Sequence, residues 1–467
     1  LIGDVLVRQL KGQAPLLQDI LVTDYLKTVG FKIVSQNPDA MNRKFDFFLI
    51  NAPSINAFAM PGGYIAVHSQ LILKADTEDE LAGVLAHEIA HVTQRHLARR
   101  FERSNQLSIP TMIGVFASLI AATQSSGNGG NVAMGGLSAV LAGQQQILIN
   151  YTRANEAEAD RVGIQSLANA GYNPDGMSGF FEKMLREYRN LPKPLEFLLT
   201  HPISERRLAE ARNRAFNLVP HKNHSQNTFW IMQERIRAQV ITDKALLNEK
   251  WYQQRIKQLS GKNNKAHKEA LLHGYSLWLS QHNKTRQAVN IAKKLVAAHP
   301  KNIAHTDLLA SAYIKNKQPE KAKQLLLNFL HHTPLNFPLS ITLAQAEMEL
   351  KDYANALNLL LSLAYQHPDV AELFKILAKA QAAAGKEDES RESQGQYLYA
   401  TGDLNGALFQ YNLALNGRSI DPYFNKRVRA RINAIEEELL TVRGSRGGSR
   451  KKKPRRFQQN YSSSHNY

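Results

Sequence analysis

The chain has 467 residues, 58 Lys and Arg against 40 Asp and Glu, and a formal charge of +18, so it is long enough for two or three domains and a substantial buried core. It contains no cysteine, which excludes a disulfide framework, thiolate zinc ribbons and cysteine nucleophiles and leaves any metal to His, Asp or Glu. Arg443, Arg446, Arg450, Lys451, Lys452, Lys453, Arg455 and Arg456 lie in one Gly- and Ser-punctuated tail without an acid, so nearly half of the charge excess belongs to a disordered tail and not to a basic binding face.

The first residues, Leu1-Ile2-Gly3-Asp4, lack an initiating Met and the basic, apolar and small-residue series of a signal peptide, so the chain reads as processed or trimmed. A helix is predicted at the start, followed by strands at Phe31-Lys32-Ile33-Val34 and at Phe45 to Ile50, with Asn51-Ala52-Pro53 ending the segment. Pro61-Gly62-Gly63 separates two short apolar runs and predicts a hairpin over Asn56 to Val67. Tyr64 to Val67 would suit an edge strand that pairs with an extended peptide, and a plain structural hairpin fits equally well. Thr77-Glu78-Asp79-Glu80 carries a capping box, and the helix it opens is expected to run through His96.

The apolar run at 109–122 is interrupted by Pro110 and is shorter than the roughly 18 residues a spanning helix needs, which predicts a soluble protein. The Gly-, Ser- and Asn-rich stretch 124–136 reads as a mobile loop, flanked by 109–122 and a second apolar stretch at 137–149. That pattern suits a lid or a surface for membrane or unfolded protein, and equally two ordinary amphipathic helices.

His87-Glu88-Ile89-Ala90-His91 is the sequence HExxH. On a helix, residues i and i+4 share a face, so both imidazoles can reach one Zn2+, while Glu88 is turned to where it can take a proton from water. A third ligand is required. Gln94 and Leu97 stand where a metzincin needs Gly and His, so that class is excluded and His96 is read as a surface or packing residue. Downstream, Asn155-Glu156-Ala157-Glu158-Ala159-Asp160 puts two carboxylates at i and i+4. Glu156 would complete a His2Glu site with an open fourth position. Asp160 could accept a hydrogen bond from the far ring nitrogen of a ligating histidine, and Glu158 is read as an exposed acid.

In the carboxy-terminal half Pro300, Pro334 and Pro368 lie 34 residues apart, as do Ala288, Ala322 and Ala356, which is the tetratricopeptide period. Leu309-Ala310 with Tyr313, and Leu343-Ala344, occupy first-helix packing positions, and Gly402-Asp403 with Ala407 and Ala414 marks a further repeat shifted out of phase. Such a stack presents a concave surface for protein segments.

HExxH, NExxxD, His201-Pro202-Ile203-Ser204-Glu205-Arg206-Arg207 and the preceding Asn56-Ala57-Phe58-Ala59-Met60-Pro61-Gly62-Gly63 together resemble the metallopeptidase family of HtpX and the CAAX prenyl proteases. Unlike those members this chain has no spanning helix and carries repeats, and so is similar to the periplasmic, repeat-bearing branch of Gram-negative bacteria that acts on outer-membrane proteins. The motifs cover residues 1 to about 215 and the repeats extend the match to about 420. The resemblance implies a mainly α fold with a small β-sheet, in which a gluzincin-type metallopeptidase domain (1–220) precedes an α-solenoid of tetratricopeptide repeats (221–440) and a basic disordered tail (441–467). It implies one zinc ion at His87, His91 and Glu156, Glu88 as base, and a role for His201 as displaceable fourth ligand or as stabiliser of the oxyanion. Arg153 and Arg207 match basic positions of the motifs and would orient carboxylates or substrate. Implied partners are unfolded or misassembled outer-membrane proteins and the outer-membrane assembly machinery, in the periplasm, with chaperone-like activity through the repeats. The basic tail suits an anionic membrane surface. It lacks the interleaved aromatics and fold of a nucleic-acid reader.

Overall fold

The computed structural model describes residues 2–103, 152–189, 196–218, 226–259, 264–334, 336–417 and 422–444. The apolar stretches 109–122 and 137–149, the Gly-rich stretch between them and the tail beyond 444 lie outside the described residues.

Helix α1 (Ile2–Gln13) is followed by α2 (Ile20–Val34), whose N-terminus is capped by Asp19 accepting from the Val22 amide at 3.1 Å. Phe31 to Val34, expected as a strand, is the last turn of α2. Leu21, Val22, Tyr25, Leu26, Val29 and Ile33 are buried at helical spacing, and that packing outweighs the local β-propensity of Phe31, Ile33 and Val34.

Strands β1 (Asp46–Ile50), β2 (Ala57–Met60) and β3 (Tyr64–His68) form a sheet of order β1-β3-β2. β3 pairs in parallel with β1, Phe47 opposite Ile65, and antiparallel with β2, Ala59 opposite Ile65. The hairpin is present, but Tyr64 to Val67 is the central strand, and the edge strand, which packs beside the helix Glu78–Thr93, is β2. The parallel pairing with β1 that buries β3 joins segments no local turn signal connects. At the turn Gly63 has φ +81, and a Cβ there would stand 1.8 Å from the Lys44 carbonyl oxygen, so only glycine fits.

After α3 (Ser69–Lys74), helix α4 (Glu78–Thr93) is capped by Thr77, which accepts from the Glu80 amide at 3.2 Å. Nearly every face of α4 is buried, as in a core helix. It stops at Thr93, short of His96. Arg95 takes φ +57, which breaks the helix, and α5 (His96–Arg103) starts in a new direction. Helices α6 (Arg153–Asn169) and α7 (Asp175–Arg189) pack against α4. The short α8 (Glu196–Thr200) and α9 (Glu205–Phe216) follow.

Beyond α10 (Asn227–Val240), α11 (Glu249–Gln258) and α12 (Lys265–Gln281), the chain becomes a stack of helical hairpins: α13 (Thr285–Ala298), α14 (Ile303–Lys315), α15 (Pro319–Leu330), α16 (Phe337–Glu349), α17 (Tyr353–Gln366), α18 (Ala371–Ala383), α19 (Glu387–Ala400) and α20 (Leu404–Leu415). Ala288, Ala322 and Ala356 are fully buried, and Pro300, Pro334 and Pro368 follow the ends of α13, α15 and α17. The mainly α fold with a small sheet and a helical-repeat array is borne out. Residues 441–444 still belong to the terminal helix α21 (Pro422–Gly444).

The inner face of the array is turned onto the amino-terminal body. Arg235 of α10 bridges Asp19 at 2.7 Å and Asp307 of α14 at 2.9 Å, and Arg8 of α1 pairs with Glu438 of α21 at 2.6 Å. Gly402, at φ +88, lies against α1 so closely that a Cβ would sit 1.9 Å from the Arg8 carbonyl oxygen. Where an open groove was expected, the first helices of the hairpins meet Gln18 to Leu21, leaving a pocket of about 170 Å3. The main core also continues past residue 220, because Phe229, Ile231, Met232 and Ile236 belong to the same buried cluster as Leu85 and Ile89, and α10 packs on α2 and α3. Among the described residues no helix is long and apolar enough to cross a membrane.

Candidate active site

HExxH lies in the last two turns of α4 and Glu156 in the first turn of α6, and the packing of these helices brings the three side chains together. His87, His91, Glu156 and His201 each offer an atom to one cluster whose members lie within 4.8 Å of one another, and all four are buried. His87 Nε2 is 3.0 Å from His91 Nε2 and 3.5 Å from Glu156 Oε2, and His91 Nε2 is 3.4 Å from Glu156 Oε1. His201 Nδ1 stands 3.3 Å from both His87 Nε2 and Glu156 Oε1. Zinc with ligands at about 2.0–2.1 Å in a tetrahedron requires donor atoms roughly 3.3 Å apart. The separations given, with Glu156 offering Oε2 to His87 and Oε1 to His91 and His201, bracket that value, so the donors suit zinc by type and in these pairs.

The ring nitrogens facing away are held. His87 Nδ1 is 3.0 Å from Asp160 Oδ1. Arg207 clamps that carboxylate with Nε and Nη2, both at 2.8 Å, and reaches Glu156 Oε2 with Nη1 at 2.8 Å. Arg207 sits in the first turn of α9, where Ser204 caps its amide, and its Nη1 also donates to the Pro202 carbonyl at 2.8 Å. One side chain thus ties the His201-Pro202 turn to α6. Arg153 is exposed at the start of α6 and is not brought into the cluster.

Electrostatics follow from burial against pairing. Burial opposes a charged His87, yet its hydrogen bonds to Asp160 and Glu156 prevail and hold it up at about 10 in the metal-free protein. For His91 burial wins, and its pKa falls well below the usual histidine range. Burial raises Glu88 above the ordinary carboxylate range, against the charges of His201 and His87. Burial also opposes ionisation of Glu156, but the charge of His201 and hydrogen bonds from three histidines hold its pKa well below that range. Asp160 is lowered likewise, because hydrogen bonds from His87 and Arg207 overcome burial.

Both carboxylate oxygens of Glu88 are buried without a hydrogen bond of normal geometry, and His201 Nε2 lies 3.3 Å from Oε1. The β2 edge strand lies on this side, and a groove of about 330 Å3 lined by Ala59 to Gly63, His91, Val92 and Arg95 runs beside it.

Two further side chains belong here that spacing alone assigned elsewhere. His96 is buried, with Nδ1 2.8 Å from His91 Nδ1 and Nε2 3.0 Å from Glu158 Oε2. Glu158 is only one-third exposed and turns toward His96, so it is not the solvated acid expected. No sequence signal marks this: Gln94 and Arg95 are good helix formers, and the positive φ of Arg95 that redirects the chain before His96 shows only in the structure.

Residues 21–215 match peptidase family M48. The chain is 36% identical to the β-barrel assembly-enhancing protease of Yersinia pestis, covering 87% of this chain and 82% of that one. It is 34% identical to the protease of the same name from Escherichia coli (strain K12), covering 93% and 87%.

The chain belongs to peptidase family M48.

This M48 chain is therefore a metallopeptidase. It is also 30% identical to the mitochondrial metalloendopeptidase OMA1 of Schizosaccharomyces pombe over 35% of this chain and 45% of that one. Residues 281–363 match the family described as anaphase-promoting complex, cyclosome, subunit 3. Among solved structures, a tetratricopeptide repeat protein from Parabacteroides merdae covers 56% of this chain and 98% of its own at 14% identity and TM-score 0.30, and MamA covers 36% and 96% at 15% identity and TM-score 0.27.

Proposed function

We propose that this M48 peptidase is a zinc-dependent endopeptidase of the periplasm that cleaves misassembled or unfolded outer-membrane proteins. The observation that carries the catalytic reading is the convergence of His87 Nε2, His91 Nε2, the Glu156 carboxylate and His201 Nδ1 within 4.8 Å of one another beside the buried carboxylate of Glu88. The substrate class and compartment rest on the relatives named β-barrel assembly-enhancing protease.

His87, His91 and Glu156 would hold the ion, which supplies Lewis acidity toward a peptide carbonyl and toward water. Glu88 takes the proton from the attacking water and delivers it to the leaving amine, a role suited to a carboxylate raised by burial. An extended substrate segment pairs with β2, the edge strand on the same side. His201 acts as the displaceable fourth ligand. Its Nδ1 stands among the other donors while its Nε2 faces Glu88, so His201 would occupy the place that water needs and keep the enzyme latent until the turn at Pro202 moves.

Glu88→Gln should lower turnover of an unfolded outer-membrane protein by about 10²–10⁴-fold with zinc content unchanged. Full turnover by a fully loaded Glu88→Gln protein would overturn the mechanism.

A second, compatible reading is a chaperone-like scaffold for the outer-membrane assembly machinery. Leu327 and Leu361, at equivalent positions of successive repeats, are 47% and 48% exposed, and Tyr365 is 90% exposed on the same helix as Leu361. Chelation of the metal should abolish cleavage and leave such binding intact. The working division remains peptidase 1–220, repeats 221–440 and tail 441–467, with α10 completing the peptidase core. Contact of the tail with an anionic membrane surface is part of this proposal.

A further inference from the structure

We propose that His96 and Glu158 form a positioning relay that fixes His91 as a metal ligand. Glu158 accepts the Nε2–H of His96, and His96 Nδ1 in turn accepts the Nδ1–H of His91, which leaves the His91 Nε2 lone pair for the ion. The inference rests on the assignment of His87, His91 and Glu156 as ligands.

With both imidazoles neutral, the geometry permits one consistent tautomer chain. A carboxylate can only accept, so with Glu158 Oε2 at 3.0 Å the proton of His96 resides on Nε2. His96 Nδ1 is then an acceptor, and at 2.8 Å its partner, His91 Nδ1, carries the proton. His91 Nε2 is left bare at the point where it faces His87 Nε2 and Glu156. His87 reaches the same state by a shorter route, because its Nδ1 meets Asp160 directly. Each imidazole from α4 is thus backed by a carboxylate from α6, one in contact and one through an intervening ring.

The backbone is built for this. Arg95 at φ +57 turns the chain so that His96, five residues after His91, comes back beneath it, with ring centroids 4.9 Å apart at 73°. An uninterrupted helix would carry position 96 away from the ring of His91. Arg99 Nη1, 3.8 Å from Glu158 Oε2, supports the carboxylate from α5.

The test measures zinc affinity of the metal-stripped full chain by competition with a chromophoric chelator, and the visible spectrum of the cobalt-loaded protein. His96→Leu should bind zinc about 10–100-fold more weakly, the usual cost of losing a partner behind a ligand, and shift the cobalt bands. His96→Gln, whose amide both accepts from His91 and donates to Glu158, should recover most of the affinity and the spectrum, which a mere packing role would not predict. Adding Glu158→Leu to His96→Leu should weaken binding no further, because the two residues act in series. Should His96→Leu not fold, Glu158→Leu at its one-third exposed position carries the test, with weaker zinc binding at an unchanged unfolding midpoint of the metal-free protein. Unchanged affinity in the folded variants, or His96→Gln no better than His96→Leu, would overturn the relay. If the unmodified chain bound no zinc, the ligand assignment itself would fail.

Discussion

Replacing Arg207 by Leu tests whether the buried charges behind the candidate ligands are a structural unit. The guanidinium makes 2.8 Å contacts to both oxygens of Asp160 and to Glu156 Oε2, and the three side chains are 9%, 7% and 2% exposed. Removing one partner of a buried pair costs about 3–5 kcal/mol, because the remaining charge stays desolvated. Here two carboxylates lose their cation, yet His87, raised to about 10, still stands charged between them in the metal-free protein at neutral pH. That partial compensation places the expected loss near ~3 kcal/mol. Urea unfolding of the metal-free chain at neutral pH measures it. Arg207→Lys keeps the charge but not the fork and should lose less, and the loss in Arg207→Leu should persist at about 1 M salt, since buried pairs are screened little. A loss within about 0.5 kcal/mol, or one that disappears with salt, would refute the reasoning by giving the cluster the energetics of a surface pair.

Other consequences are open to direct measurement. His201→Ala should raise turnover roughly tenfold if the closed arrangement is preferred by about 1.4 kcal/mol, whereas a fall in kcat at full zinc occupancy would assign His201 to oxyanion stabilisation. His305, buried in the array, is lowered to about 4 by burial and by His299, so the unfolded chain binds its proton first. Its contribution, about 3 kcal/mol, is therefore complete above the unfolded value near ~6.5 and lost as pH falls toward 4, and His305→Gln should flatten that stability profile by about one proton. Gly402→Ala forces a side chain against α1 at a positive φ and should cost about 1–3 kcal/mol, read as faster amide exchange in α1.

Much of the site was legible because its chemistry is local. His87 and His91 sit one turn apart on a capped helix, and Glu156 and Asp160 repeat that spacing on a second helix. The repeats were legible for the same reason: an alanine and a proline recur every 34 residues where two helices must approach and one must stop. The failures are equally specific. Phe31 to Val34 has strand composition but completes a helix whose buried stripe starts at Leu21. Glu158 reads as a solvated acid until a histidine from another helix is placed beside it.

By itself the sequence determined which residue types stand one helical turn or one repeat apart, and hence the helices, the repeat array and the candidate donors, since those depend on interactions within a few residues. Only the tertiary structure decided that α4 and α6 meet, that the edge strand is β2, that His96 turns back beneath His91, and that the inner face of the array closes on α1 and α2. Those outcomes are contacts between segments far apart along the chain, fixed by which buried surfaces fit one another, and no local periodicity encodes that choice.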